Sequence, residues 1–365
     1  MQTKRFSPIF IIHLFIILAG SSLYGQQQSG RVYEFLNLPA TARITALGGY
    51  AVPGIESDLG MALYYPSLLS NTPTSQLTLN MVDYFSDISY GTAGANYRFD
   101  RLGNISFSVQ YISYGSFIEA DEFGNQLGNF GAGEYAAMIG WGRSLTEKLS
   151  IGSNIKLISS GMEGYSSLGL ATDIAVSWLD RERMIAASLV FRNIGRQITQ
   201  YHSSQPEMLP FDISLGVSKK LINAPLRFSM VAHNLHRFDL TYESFTEPQD
   251  MFFINEEESA GSREFFDDLG DKLLRHTVFG VEFTPTKAFS IGIGYNYRRR
   301  QELKADTRPA SVGLSFGAGF RVSAFQIYYG RANYHLAGAP NHFSLLADLG
   351  YFFKGNQSKP SVYWR

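Results

Sequence analysis

The stretch SIGIGYNYRRR (Ser290–Arg300) places Ile291, Ile293, Tyr295 and Tyr297 at every second position. Ser290, Gly292, Gly294 and Asn296 stand between them. Period-two alternation marks a strand with unlike faces. A half-buried strand of a soluble protein sets solvated Lys, Glu or Thr against its apolar face. Here that second face is nearly bare of side chain. The pattern recurs along the chain: fourteen period-two segments follow one another from Gln76–Tyr84, through Asn104–Tyr114, Leu226–His236 and Phe289–Arg298, to His342–Phe353. Each is near the nine to eleven residues, roughly, that a tilted strand needs to cross a bilayer.

The connections between these segments alternate in length. DRLG, RSLTEK, DRERM, KKLINAP, TPTKA and VSA are short; the stretches around Ser116–Asn129, Gly195–Pro210, Arg237–Arg275, Arg299–Pro309 and Tyr334–Asn341 are long. An up-and-down transmembrane barrel has short turns at one end and long loops at the other, and with an even strand number its first and last strands meet at the short-turn end. The faces agree. Ile105, Phe107, Val109 and Tyr111 alternate with Ser106, Ser108 and Gln110, and Phe279, Val281 and Phe283 with Gly280 and Glu282. The apolar face reads as the lipid side and the small or polar face as the lumen. Arg192, Asp212, Arg227, Glu282 and Arg298 fall on the inward face or at the rims. A soluble sandwich or propeller gives no account of the empty face. The expected fold is all-β: an antiparallel transmembrane outer-membrane β-barrel of about fourteen strands with a short helical N-terminal hatch in its lumen.

The 365-residue chain divides accordingly. Residues 1–25 read as a signal peptide: Lys4 and Arg5, an apolar run from Ile9 to Ala19, then small residues up to Gly25. Its removal takes two positive charges and changes the formal net charge from -1 to -3. Residues 26–74 read as a hatch or plug, residues 75–353 as the barrel and residues 354–365 as a C-terminal tail. Within the hatch, TARITAL has helical spacing and stops at Gly48-Gly49, while Ser57 and Asp58 resemble a cap for a helix that Pro66 breaks. Charged residues are only 17% and the net charge is near zero, which gives no footprint for nucleic acid. The absence of cysteine excludes disulfides, thiolate metal sites and a cysteine nucleophile.

The seven histidines show no metal-ligand spacing; His233 and His236, three apart on an expected strand, would face opposite ways. The acidic run Asn255–Ser259 lacks the alternating spacing of a calcium loop and reads as a solvated or docking surface. His342 and Ser344 share a face of the last strand, a spacing used with a neighbouring asparagine by outer-membrane phospholipases, and Asn333 is the candidate third member. In those enzymes the pair faces lipid, whereas here Phe343 and Leu345 take that side, so His342 and Ser344 read as hydrogen-bonded rim or lumen residues. No catalytic, cofactor or metal site is assigned, and the chain reads as a non-enzyme. Exposed loops on a rigid barrel are where partners bind. The candidate docking residues are Phe117, Glu119, Asp121, Glu122 and Phe123 in one long loop, and Phe252, Phe253, Glu256, Glu257 and Glu258 in another.

The hatch segment, TARITALGGYAV followed by Asp58 and ALYYPSLL, resembles that of the FadL family of outer-membrane barrels. Its candidate motif residues are Arg43, Leu47, Gly48, Gly49, Asp58 and Pro66. Tyr65-Pro66 departs from the family's Asn-Pro form, which weakens any carry-over of long-chain fatty-acid transport. VYEFLNLPATARITALGG, YGSFIEADEFGN, RRQELKADTRP and YGRANYHLAGAPNHFS are similar, over the whole mature chain, to the PorQ group of barrels in the type IX secretion system of Bacteroidota. That resemblance implies a non-enzymatic outer-membrane component of the surface attachment complex. Its implied partners are proteins resembling PorV, PorU and PorZ, and lipopolysaccharide or another membrane lipid; cargo carries a dedicated C-terminal domain. The alternative is a FadL-like transporter of hydrophobic small molecules.

Overall fold

The computed structural model describes residues 31–201, 207–241, 269–303, 312–333 and 338–353. Fourteen strands form one closed antiparallel barrel. They are β1 (Gln76–Asp83), β2 (Ser89–Phe99), β3 (Gly103–Ala120), β4 (Gln126–Ser144), β5 (Leu149–Met162), β6 (Tyr165–Asp180) and β7 (Ile185–Thr199), then β8 (Asp212–Lys220), β9 (Leu226–Ala232), β10 (Thr277–Thr286), β11 (Phe289–Asn296), β12 (Leu314–Val322), β13 (Phe325–Ala332) and β14 (Asn341–Asp348). Each strand pairs with its sequence neighbours, and β14 closes on β1 from Gln76↔Asp348 to Asp83↔Asn341. Closure leaves no open edge at the seam, the condition for strands to cross a bilayer.

Side chains alternate across the wall as the period predicts. On β4, Tyr135 and Ile139 are exposed outside while Ala136 and Met138 are buried within. Outward Phe107, Ile155, Ile293, Phe316 and Phe343 continue an apolar outer surface around the barrel. No helix among the described residues is long and apolar enough to span a bilayer; the crossing is made by strands.

The lumen holds residues 31–72. Arg31 bridges to Met208, between β7 and β8, so this segment enters at the long-loop end and descends to β1 at the short-turn end. The helix Ala42–Ala46 is capped by Thr41, whose hydroxyl accepts from Ile44 N at 3.3 Å, and it ends on Gly48 and Gly49 at φ +99° and +88°. Asp58 caps the helix Leu59–Tyr64 by accepting from Met61 N at 2.9 Å. Pro66 ends that helix and opens a 3-10 helix, Pro66–Asn71, where its missing N–H costs nothing.

The bare face of the strands is the seat of this hatch. A Cβ on Gly294 would stand 2.2 Å from Gly48 N and 2.3 Å from Leu47 C. On Gly152 it would stand 2.3 Å from Pro66 C. Glycine is the residue that lets one backbone approach another this closely.

The structure departs from the expected strand limits in several places, among them β7, which runs on to Thr199 in the stretch expected as a loop. The stretch expected as a loop at Ser116–Asn129 is the top of a β3–β4 hairpin, its register shifted by an irregularity around Gly115, which obscures the period-two signal. β9 ends at Ala232, before a turn with Asn234 at φ 53°, so His233 and His236 do not share a strand. β11 ends at Asn296, whose side chain caps the helix Tyr297–Glu302; the three arginines are helical. β14 ends at Asp348, which accepts from Gly350 N at 3.0 Å and starts the turn of helix Gly350–Phe353. The expected signal peptide, residues 26–30 of the hatch and the C-terminal tail lie outside the described residues.

Adding one methyl group separates a seat glycine from a free one. Gly294→Ala should lower stability by about 1–3 kcal/mol through overpacking against Gly48. Gly161→Ala, where nothing lies within 4 Å, should stay within about 0.5 kcal/mol of the parent. Heat-dependent mobility of the folded barrel in detergent reads both.

Candidate functional site

Arg43, on the first hatch helix, is the centre of a buried charge cluster. Its guanidinium donates to Asp58 at 2.5 Å and, in a fork, to both carboxylate oxygens of Glu282 at 3.0 and 3.1 Å. Arg227 on β9, directly across from Glu282 on β10, also pairs with that carboxylate. The Arg43 guanidinium lies 5.9 Å from the Tyr328 ring centre. Two cations thus face two anions. Planar bidentate pairing suits arginine to this place, because buried charge is tolerated only when paired and hydrogen-bonded. Asp58 caps its helix with one oxygen and holds Arg43 with the other.

Around this cluster, barrel side chains donate to hatch carbonyls. Gln110 reaches Phe35 O at 2.8 Å, Arg192 Leu36 O at 2.8 Å, Asn154 Leu63 O at 2.9 Å and Asn104 Leu69 O at 2.8 Å. Asn296 reaches Gly48 O at 3.2 Å and Ser315 Ala46 O at 3.0 Å. A second ion pair, Lys156–Asp173 at 2.8 Å, is buried within the wall itself. The void bounded by Arg43, Leu47, Glu282, Gly292, Gly317 and Tyr328 measures about 10 Å³, at the lower limit for one water molecule.

Of the hatch-motif residues, the structure brings Arg43 and Asp58 into contact and places the others apart from that pair. Arg43 and Asp58 are ion-paired; Leu47 and Gly48 press on the inner wall at Gly280, Gly292 and Gly294; Gly49 closes the helix; Pro66 rests on Gly142 and Gly152. Sequence reasoning placed Glu282 and Arg227 inside but did not join them to Arg43. It also missed the carbonyl-binding amides Asn104, Gln110 and Asn154, whose only signal is an amide at an inward strand position.

His342 and Ser344 are buried inside and engaged with the hatch. Ser344 Oγ accepts from Ala42 N at 2.7 Å and donates to Asn80 Oδ1 at 2.6 Å, while His342 Nδ1 meets Thr45 Oγ1 at 2.9 Å. Asn333 lies just beyond the end of β13 at Ala332. Among the described residues no three His, Asp or Glu side chains form a metal-holding group.

The long-loop half of the lumen differs from the small or polar lining expected. There Val82, Tyr90, Ile112, Ala136 and Ile158 pack around Tyr33, Phe35 and Leu36, and Tyr33 hydrogen-bonds Ser167. Of the candidate docking residues, Phe117, Glu119, Asp121, Glu122 and Phe123 crown the β3–β4 hairpin. Phe252, Phe253, Glu256, Glu257 and Glu258 lie outside the described residues.

Fold and site define a transmembrane β-barrel whose lumen is occupied by its own N-terminal segment. No family model and no curated protein matches the chain. Solved structures do resemble it in fold. The toluene transporter TbuX of Ralstonia pickettii is 10% identical, covering 85% of this chain and 98% of its own, with a TM-score of 0.43. The toluene transporter TodX of Pseudomonas putida is 11% identical over 85% and 96%, with a TM-score of 0.46. A FadL homologue of Pseudomonas aeruginosa is 11% identical over 85% and 98%, with a TM-score of 0.45. The barrel assignment rests on the strand pairings themselves.

Glu282→Ala takes the carboxylate from Arg227 and leaves Arg43 with Asp58 alone, two buried cations against one anion, and should cost about 3–5 kcal/mol. Arg227→Met in the same chain should restore part of that loss, because it removes the cation left without its carboxylate. Denaturant unfolding in detergent, with protease sensitivity of the hatch as a second readout, tests both.

Proposed function

We propose that this chain is a non-conducting outer-membrane barrel that works at its outer surface, as a scaffold in the type IX secretion system's cell-surface attachment complex. The observation that carries this reading is the occupied lumen: the hatch is held by the Arg43–Glu282 cluster and by side chains aimed at its backbone. A barrel so filled offers its rigid wall and loops rather than a path. The wall is uneven, since β3 to β7 are much longer than β8 to β14, and the extra length of β3 and β4 rises at the long-loop end. The resemblance of the loops to PorQ-like barrels supplies the system. Its implied partners are proteins like PorV, PorU and PorZ, with lipopolysaccharide as the acceptor to which cargo is attached. The scaffold uses no cofactor.

A second reading is transport of hydrophobic small molecules, the activity named for TbuX and TodX. One observation favours it: the long-loop half of the lumen is lined by Tyr33, Phe35, Tyr90, Ile112 and Ile158 rather than by small polar residues. An apolar pocket with a few polar groups is what such a solute needs, and the hatch side chains Tyr33 and Phe35 fill that space here.

A strain lacking the gene separates the two. Cargo bearing the secretion-specific C-terminal domain should be retained in the periplasm or released unattached. Normal surface display, with a growth defect on an aromatic or lipid substrate, would establish the transporter and sink the scaffold. In planar bilayers the purified protein should give no steady conductance, whereas deletion of residues 42–72 should open the barrel.

A further inference from the structure

The β3–β4 hairpin leaves the barrel behind. β2 pairs with β3 only as far as Ser89↔Ser113, and β5 pairs with β4 only as far as Met162↔Ala132. Tyr114–Ala120 and 126–131 therefore form a two-stranded ribbon with no described strand on either outer edge. At ~3.3 Å per residue it extends roughly 20 Å beyond the last shared pairing.

Its tip is built to hold shape. Asp121 Oδ1 accepts from Phe123 N at 2.9 Å and Asn125 N at 2.8 Å, Oδ2 accepts from Asn125 Nδ2 at 2.8 Å, and Gly124 turns the chain at φ +83°. The Asn125 side-chain bond and these backbone donors hold the Asp121 carboxyl below the usual aspartate range, so the turn keeps its charge. Phe123, at 82% exposed, stands at the apex, and Ile118 and Leu127 are exposed by 62% and 64%. Phe117 and Phe130 stack at 5.4 Å across the ribbon.

Three features of this ribbon single out its partner. Large apolar side chains exposed together beyond the barrel mark an interaction surface. Free strand edges in natural proteins are ordinarily guarded by lysine or proline, and residues 114–131 contain neither. The charge is of one sign: no Lys or Arg occurs between Arg101 and Arg143, while Glu119, Asp121 and Glu122 surround the tip. An anionic lipid surface is repelled by such a tip, and a basic protein face is attracted to it.

We infer that the β3–β4 hairpin is the docking element of this barrel and that its partner is a protein with a basic contact face that covers Ile118, Phe123 and Leu127, with the Phe117–Phe130 stack on the other side of the ribbon. This deepens the scaffold reading and rests on it. The site lies at the top of the tall wall, clear of the hatch and of the ion-paired lumen.

The test uses full-length protein in its own cells, with a benzophenone amino acid in place of Phe123 and, as control, in place of Leu102 at the opposite end of β3. Light should give a discrete protein adduct from position 123 only, and the linked peptide should lie on a Lys- and Arg-rich face. Glu119→Lys with Glu122→Lys, which spares the Asp121 turn, should cut adduct yield about tenfold or more through like-charge repulsion. The corresponding Gln pair should fall between. Unchanged heat-dependent mobility shows that these variants fold. Adducts to lipopolysaccharide alone, no adduct at 123, or a protein adduct indifferent to charge reversal would overturn the inference. If cargo display is lost in the null strain but any of these results is found, the scaffold reading stands and the hairpin assignment fails. If display is normal in the null strain, the scaffold reading itself fails.

Discussion

A segment of short helices and turns enclosed in a barrel has backbone carbonyls that no regular ladder satisfies. Away from water each such group needs a donor. Here the wall supplies partners from its inward face: Gln110, Asn154, Asn104 and Arg192 each donate to a hatch carbonyl, and Ser344 accepts from the Ala42 N–H. Irregular backbone is tolerated at membrane depth only where protein surrounds it, and the hatch meets that condition. The same demand explains the composition of the inner face: amides where a carbonyl must be met, glycine where the two backbones touch.

The charge cluster is subject to the same constraint. Arg43, Arg227, Asp58 and Glu282 come from the hatch, β9 and β10, and each side chain is largely screened from solvent. Such an arrangement is a poor source of raw stability, because desolvation offsets most of the Coulombic gain. It does distinguish one seating of the hatch from others. A hatch rotated or slid along the lumen would part Arg43 from Glu282 and leave charge unpaired, a penalty of about 3–5 kcal/mol added to the lost apolar contact.

Much of this was legible in the residues, for a physical reason. Strand period is strict, and a face of Ile and Phe set against a face of Gly and Ser has one apt environment, so strand number, closure and the inward position of Glu282 followed from spacing alone. The helix limits at Gly48 and Asp58 followed from capping chemistry. What escaped was long-range or broken in period. The pairing of Arg43 with Glu282 spans 239 residues and has no local signature. The Gly115 irregularity and the glycines after it hid the top of the β3–β4 hairpin, which read as a loop. His233 was assigned to a strand because the apolar alternation of β9 runs on past its end at Ala232, and the Asn234 turn overrode it.

The route of the hatch has a consequence for the order of assembly. The segment is the first part of the described chain, yet the seat of its first helix, Ala42–Ala46, is contributed by the last strands: Ala42 meets Ser344 across 302 residues and Thr45 meets His342 across 297. Contacts of such separation form late, because the loop entropy must be met before they contribute. That helix therefore cannot be locked until the last strands are in place, although Leu63 and Leu69 find their partners on β5 and β3. The seating of the first helix is a built-in report that the cylinder is complete.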